Sequence, residues 1–137
     1  MAAVARTGTH EYQQRLTAHP EAVGQARRIV AAHLRLWGLD ELTDAVSLCL
    51  SEMITNVREH AESDDCVLLL QNSSLGVRVV VSDDSAELPV VREPESLVEG
   101  GRGLLLLSAI ADAWGATPTG EGKDVWAEFR PGTLGAV

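Results

Sequence analysis

The stretch that decides the fold is residues 45–61, AVSLCLSEMITNVREHA, which contains neither proline nor glycine. At about 100° per residue, most of its apolar side chains fall on one arc, which predicts an amphipathic helix with that arc against a core. The residues of this arc are Val46, Leu50, Met53, Ile54, Val57 and Ala61. The residues predicted to face solvent are Ser47, Ser51, Thr55, Arg58 and Glu62.

Two polar side chains of this helix lie on the apolar side instead. Glu52 and Asn56 stand at i and i+4, on neighbouring turns, where Ala45, Leu48 and Cys49 extend the apolar surface. A carboxylate and an amide there carry a desolvation cost unless something pairs with them. A metal ion or a ligand at the edge of the core would be such a partner. The alternative is a glutamate at the rim of the buried face whose carboxylate reaches water.

Composition narrows the class of protein. A chain of 137 residues predicts one domain. The net charge of −9 argues against nucleic acid or an anionic membrane as the partner, and fits docking to basic proteins or binding of a metal–nucleotide complex. Two cysteines are too few for a disulfide framework. No basic segment followed by an apolar run opens the chain, and no apolar run approaches about 18 residues. A cytoplasmic protein is therefore expected.

The rest of the chain divides into short elements. Their order predicts an α+β fold, a two-layer sandwich with helices on one face of a mixed, mostly antiparallel sheet. A loose tail over residues 1–9 would precede a single domain over 10–137. The predicted elements are a strand at 10–16, a helix from Pro20 to Gly38, the central helix capped by Asp40, a hairpin of 66–71 and 77–82 with a five-residue loop, a mobile loop at 83–100, a helix at 104–113, and a second hairpin of 116–119 and 125–129.

Two further segments contain residues that are suited to ligand binding. Residues 99–104, EGGRGL, open directly into the leucine-rich helix. Glycines let backbone N–H groups approach an anion, and a helix N-terminus adds partial positive charge. This segment matches neither a Walker loop nor GxGxxG after a strand. Asp83 ends a strand in VVVSDD, and its carboxylate can accept a hydrogen bond from an amine such as the adenine amino group. A loop-capping aspartate is the alternative.

The order of these pieces resembles the histidine-kinase-like ATPase superfamily, also called GHKL. Within it, the chain is most similar to the small stand-alone anti-sigma-factor serine kinases that act by partner switching. The resemblance covers about residues 15–130. The matching pieces are Glu52 and Asn56 through His60-Ala61 for the N box, Asp83 for the adenine-binding aspartate, Gly101-Arg102-Gly103-Leu104 for the second glycine box, and Gly122-Lys123-Asp124-Val125-Trp126 for the last conserved strand.

The resemblance implies a Bergerat-type fold, ATP and Mg²⁺ as cofactors, and a role for each matching residue. Asn56 would ligate Mg²⁺. Glu52 would be the general base that takes the proton from a serine hydroxyl on an antagonist of the anti-sigma factor. A sigma factor would be the second partner, and a homodimer is left open. The implied nucleotide-binding residues are Asn56, Asp83, Gly101, Arg102, Gly103, Leu104 and Asp124.

Two departures from the family pattern keep an alternative open. The family's DxGxG box reads DDSAE at residues 83–87, and Asp124 stands where the family usually has threonine. If the fold placed Asp124 beside Asp83, two like charges would share the adenine pocket. The alternative is a non-catalytic module of the same fold, either nucleotide-binding or nucleotide-free, that works only by protein contact. A fragment of a sensor histidine kinase is less favoured, because the ATPase pattern begins close to the start of the chain.

Overall fold

A computed structural model describes residues 5–7, 10–61, 63–85 and 102–132. It confirms an α+β fold of two layers, a sheet covered on one face by helices. The elements in chain order are β1 (Ala5–Thr7), β2 (Glu11–Thr17), α1 (Pro20–Leu36), a 3₁₀ turn (Asp40–Leu42), α2 (Thr43–His60), β3 (Asp65–Ser73), β4 (Gly76–Asp83), α3 (Arg102–Ile110), β5 (Ala113–Pro118) and β6 (Lys123–Phe129).

The sheet contains six described strands in the order β1-β2-β3-β4-β6-β5, and each neighbouring pair is antiparallel. Alternate residues of the central strands face the helices, and these residues form the core with the inner sides of α1 and α2. Helix α2 packs on β3, β4 and β6 and lies between α1 and α3. The helix with the ExxxN pattern is therefore the central element of the helical layer.

The first helix begins and ends as predicted. Pro20 occupies its first turn, and Gly38, just beyond its end, has φ +72°, a conformation that favours glycine. The predicted capping role of Asp40 is wrong. Asp40 starts a 3₁₀ turn, and Thr43 begins α2 without a side-chain cap hydrogen bond.

The apolar arc of α2 is confirmed, because Val46, Leu50 and Ile54 are fully buried. The predicted solvent face is wrong in one place. Ser47 is only 7% exposed, because α1 packs beside that side of the helix. Leu48, which was expected to extend the apolar surface, is 41% exposed instead.

The strands differ from prediction at their ends. The loop between β3 and β4 has two residues rather than five, and the first residue of β4 is Gly76, where a side chain would collide with the carbonyl oxygen of Phe129. Residues 5–7 were predicted to be part of a loose tail, but they pair with β2 as an edge strand. Strand β5 starts at Ala113, so α3 ends three residues earlier than predicted.

Two predictions lie outside the described residues: the mobile loop beyond residue 85 and the backbone at Gly101. The side chains of residues 102–105 lie outside them as well. No helix in the described part of the chain is both long and apolar enough to cross a membrane.

Candidate functional site

Asn56 and Glu52 occupy the margin of the buried side of α2, as the helical period predicts. Asn56 is 8% exposed and Glu52 is partly buried. Within the described residues, neither side chain takes part in a hydrogen bond or an ion pair. The buried side-chain atoms without a hydrogen-bond partner in the described residues are Nε1 of Trp37 and Nε of Arg78, so the amide of Asn56 keeps some contact with solvent. Both Asn56 and Glu52 are therefore able to contact a ligand at this margin of the core.

Cys49 is a buried neighbour of Glu52 on α2. Burial raises the pKa of the Cys49 thiol to about 11, and the negative charge of Glu52 adds to the increase. Cys49 and Glu52 are at i and i+3 on α2, so the carboxylate stands beside a buried thiol at the margin of the core.

Asp83 forms a buried ion pair with a lysine that the sequence analysis did not assign to the site. The Nζ atom of Lys123 lies 3.1 Å from Oδ1 and 2.9 Å from Oδ2 of Asp83, and both side chains are 1% exposed. The backbone N–H of Ser85 donates a further hydrogen bond to Oδ1 at 2.8 Å. A carboxylate can accept about four hydrogen bonds, so one position on Oδ2 is left within the described part of the chain.

The sheet register explains this ion pair and corrects the expectation for Asp124. Strands β4 and β6 pair Asp83 with Lys123 and Ser82 with Asp124. Successive residues of a strand point to opposite faces, so Asp83 and Asp124 lie on opposite faces of the sheet. The Asp124 carboxylate accepts a hydrogen bond from the Ser82 hydroxyl at 2.6 Å. Both residues line one cavity of about 470 Å³ at this end of the sheet, but the group paired with the Asp83 carboxylate is the Lys123 ammonium, and the group paired with Asp124 is the Ser82 hydroxyl.

Neighbouring groups cover the side chain of Asp83. Burial raises the pKa of the neighbouring Cys66 thiol to about 12, and the charges of Asp83 and Asp65 add to the increase. A side chain at Gly122 would collide with the carbonyl oxygen of Asp83 and would come within 2.6 Å of the Cα of Asp84. Glycine at 122 thus lets the turn between β5 and β6 close over the end of β4.

The glycine-rich segment is only partly described. Arg102, Gly103 and Leu104 form the first turn of α3, and Gly101 lies outside the described residues. Helix α3 packs against α2. The helix that the glycine-rich segment opens is therefore next to the helix that carries Glu52 and Asn56.

The donor set around Asn56 suits one class of metal ion. In the described part of the chain, no group of three or more His, Cys, Asp or Glu side chains could hold a metal. An all-protein cage such as a zinc site is thus not built from these residues. Mg²⁺ keeps most of its waters and commonly takes one or two protein oxygens together with substrate phosphates. An amide oxygen at Asn56 fits that kind of site.

Comparison with known proteins agrees with the fold and with the order of these elements. Residues 16–129 match the family model of the histidine kinase-like ATPase domain. The match runs from the end of β2 to the end of β6 and includes Glu52, Asn56, Asp83 and Lys123. The chain therefore belongs to the histidine kinase-like ATPase family. Among curated proteins, no match to the chain was found.

Proposed function

We propose that this protein is an ATP- and Mg²⁺-binding regulatory protein, a serine/threonine protein kinase that also acts as an anti-sigma factor in a partner-switching system. The observation that carries the proposal is the pair on α2. Asn56 is 8% exposed and has no hydrogen-bond partner in the described residues, and the partly buried Glu52 stands one turn away. Membership of the histidine kinase-like ATPase family supports a nucleotide as the ligand.

Asn56 would hold Mg²⁺ through its amide oxygen. When bound, the ion would supply positive charge to the phosphates of ATP. The other nucleotide contacts in this proposal come from residues 101–104 at the start of α3, whose backbone N–H groups are suited to phosphate. Phosphoryl transfer needs chiefly positioning and neutralisation of charge, and these groups would provide both.

Glu52 would act as the general base. Its carboxylate would accept the proton of a serine hydroxyl while that hydroxyl oxygen forms a bond to the γ-phosphorus of ATP. The bond between the γ-phosphorus and the β,γ-bridging oxygen breaks, and ADP leaves with the electron pair. The products are a phosphoserine and ADP. The partly buried position of Glu52, one turn from Asn56, supports this role.

Asp83 would accept a hydrogen bond from the adenine amino group at the position left on Oδ2. Lys123 already holds both oxygens, and the carboxylate is 1% exposed. Adenine binding through Asp83 thus requires the residues that cover this ion pair to move aside. The ion pair also keeps the carboxylate in one orientation.

A second candidate function is a non-catalytic module that acts only by protein contact. The buried ion pair favours it, because Lys123 neutralises the charge of Asp83 without any ligand. The partners in the first proposal, a sigma factor and an antagonist of the anti-sigma factor, follow from the resemblance alone. A module of the second kind would be able to bind the same classes of partner.

Two measurements on the same preparation separate the candidates. Calorimetric titration with ATP and ADP, each with and without Mg²⁺, tests binding. The kinase proposal predicts saturable binding that Mg²⁺ tightens, followed by transfer of phosphate to a serine of a purified antagonist. No heat of binding with either nucleotide at millimolar concentration would contradict it and favour the non-catalytic module.

A further inference from the structure

Lys123 is the only lysine among the 11 lysine and arginine residues of the chain. It stands on β6 in line with Val125, Ala127 and Phe129, on the face of the sheet that the helices cover, and its side chain is 1% exposed. Replacement of a buried ion pair by apolar residues is often neutral or even stabilising. Stability alone is therefore a weak reason for a buried pair with Asp83, and a role in ligand binding is worth testing.

The ion pair leaves one hydrogen-bond donor and one acceptor unused, next to each other. An ammonium group has three N–H donors. Within the described residues, Nζ of Lys123 donates only to the two oxygens of Asp83. On the carboxylate, these two bonds and the N–H of Ser85 leave one position on Oδ2, which lies 2.9 Å from Nζ. The pair thus offers a free N–H beside a free acceptor position.

The ion pair lies at the same end of the fold as the proposed magnesium ligand. Strand β4 ends at Asp83 and β6 begins at Lys123, in the part of the sheet on which α2 packs. Strand β3 begins at this end too, because its first residues pair with the last residues of β4, and α2 ends just before β3. Asn56, about one turn from the end of α2, is therefore at this end of the helical layer.

A donor beside an acceptor is complementary to the Watson–Crick edge of adenine. That edge carries the N6 amino group, which donates, next to the ring nitrogen N1, which accepts. Guanine and hypoxanthine carry the acceptor O6 and the donor N1–H at the same two positions. In the same orientation, either base would place its acceptor against the carboxylate and its donor against the ammonium. Buried polar groups that meet no partner are strongly disfavoured, so the ion pair selects adenine.

We propose that Lys123 is a specificity-determining residue of the nucleotide site, which donates a hydrogen bond to N1 of adenine while Asp83 accepts one from the N6 amino group. The inference rests on the proposed function, because it adds a contact to the same nucleotide. The residues that cover the ion pair must move aside, as they must for Asp83 alone. Lysine suits this role, because its ammonium donates in three directions, whereas arginine commits two parallel N–H groups to one carboxylate.

Calorimetric titration of the full chain with ATP analogues, each with Mg²⁺, tests the contact at N1. In 1-deaza-ATP a C–H group replaces N1, so binding should be at least about tenfold weaker than for ATP, because a buried charged donor loses its acceptor. In 7-deaza-ATP the change lies away from the Watson–Crick edge, and the affinity should equal that of ATP. Equal affinities for ATP and 1-deaza-ATP would overturn the proposal and leave nucleotide binding intact. Absence of binding by every triphosphate would overturn both.

Matched variants assign the contact to Lys123. In Lys123→Met, ATP and 1-deaza-ATP should bind with equal affinity, because methionine has no donor for N1. The control is Arg78→Met, which removes a cation from the other face of the sheet, where Arg78 lies over Trp126. This variant should keep the difference between the two nucleotides. The comparison is made within each variant, after circular dichroism has verified its fold. An undiminished difference in Lys123→Met would overturn the proposal.

The single lysine also permits a direct observation that needs no variant. A chain labelled with ¹⁵N at the Nζ atom of lysine gives one side-chain signal in NMR spectra, because Lys123 is the only lysine. Saturation with ATP and Mg²⁺ should shift this signal, and saturation with 1-deaza-ATP should shift it much less. A lysine that only supports the fold would give the same signal with both nucleotides, and that result would overturn the proposal.

Discussion

Replacement of Lys123 by methionine should destabilise the protein strongly. Its Nζ atom lies 2.9 and 3.1 Å from the two oxygens of Asp83. At an effective dielectric constant near 20, charges about 3 Å apart attract each other by about 5 kcal/mol. Burial of the two ions costs several kcal/mol each, so the net contribution of the pair is small. Methionine leaves the Asp83 carboxylate buried without its cation, which costs about 3–5 kcal/mol.

Urea unfolding with linear extrapolation measures this loss. For a chain of this size it corresponds to a fall in Tm of roughly 10 °C or more. The double variant Asp83→Leu with Lys123→Met should recover most of the loss, because it buries no unpaired charge. Glu128→Gln is a suitable control. Its ion pair with Arg78 is 3.6 Å long and partly exposed, so this change should cost less than about 1 kcal/mol.

Two results would refute the reasoning about the buried pair. One is a loss of less than about 1 kcal/mol for Lys123→Met, since that is the range of exposed pairs. The other is a loss of stability in the double variant equal to the sum of the losses in the two single variants. Additive losses would mean that Lys123 and Asp83 act independently.

Three further predictions concern single side chains. Glu52→Ala should still bind ATP but lose phosphotransfer, because a general base acts on the nucleophile; full activity in a kinase assay would exclude this role. Asp124→Thr should leave ATP affinity unchanged in calorimetry, because the Asp124 carboxylate accepts a hydrogen bond from Ser82 on the opposite face of the sheet from Asp83. A tens-fold gain in ATP affinity would instead mean that Asp124 repels Asp83 in the nucleotide site. Cys49 and Cys66 have pKa values raised from 9.0 to about 11 and about 12, so native thiols should resist alkylation at neutral pH. Their contribution to stability is complete below about pH 9 and is lost as the pH rises toward about 11 for Cys49 and about 12 for Cys66. Urea unfolding at a series of pH values should show this fall in the free energy of unfolding, and Cys49→Ala should make the fall smaller. The same pH dependence in Cys49→Ala and the parent would contradict the raised pKa of Cys49.

The sequence was sufficient where local periodicity decides structure. The 3.6-residue period of α2 identified its buried side and placed Asn56 at the margin of the core. Pro20 and Gly38 marked the limits of α1, because their backbone preferences are local. The α+β class followed from the order of the elements.

The sequence was insufficient where distant elements meet. The burial of Ser47 and the exposure of Leu48 depend on where α1 lies beside α2, which the pattern of one helix does not specify. The ion pair depends on the register of β4 and β6. A signal for it was present, because the alternation of Val125, Ala127 and Phe129 extends back to Lys123 and places a lysine on the buried face. Such a lysine requires a buried carboxylate as its partner.

The central claim is that Asn56 binds Mg²⁺ in a nucleotide site, and calorimetric titration of ATP with and without Mg²⁺ tests it most directly. The parent protein should bind ATP more tightly with Mg²⁺. Asn56→Ala should lose that difference, because no other described protein ligand is assigned to the ion. Asn72→Ala, which changes an asparagine of β3, should behave as the parent does. Equal Mg²⁺ dependence in Asn56→Ala and the parent would contradict the assignment.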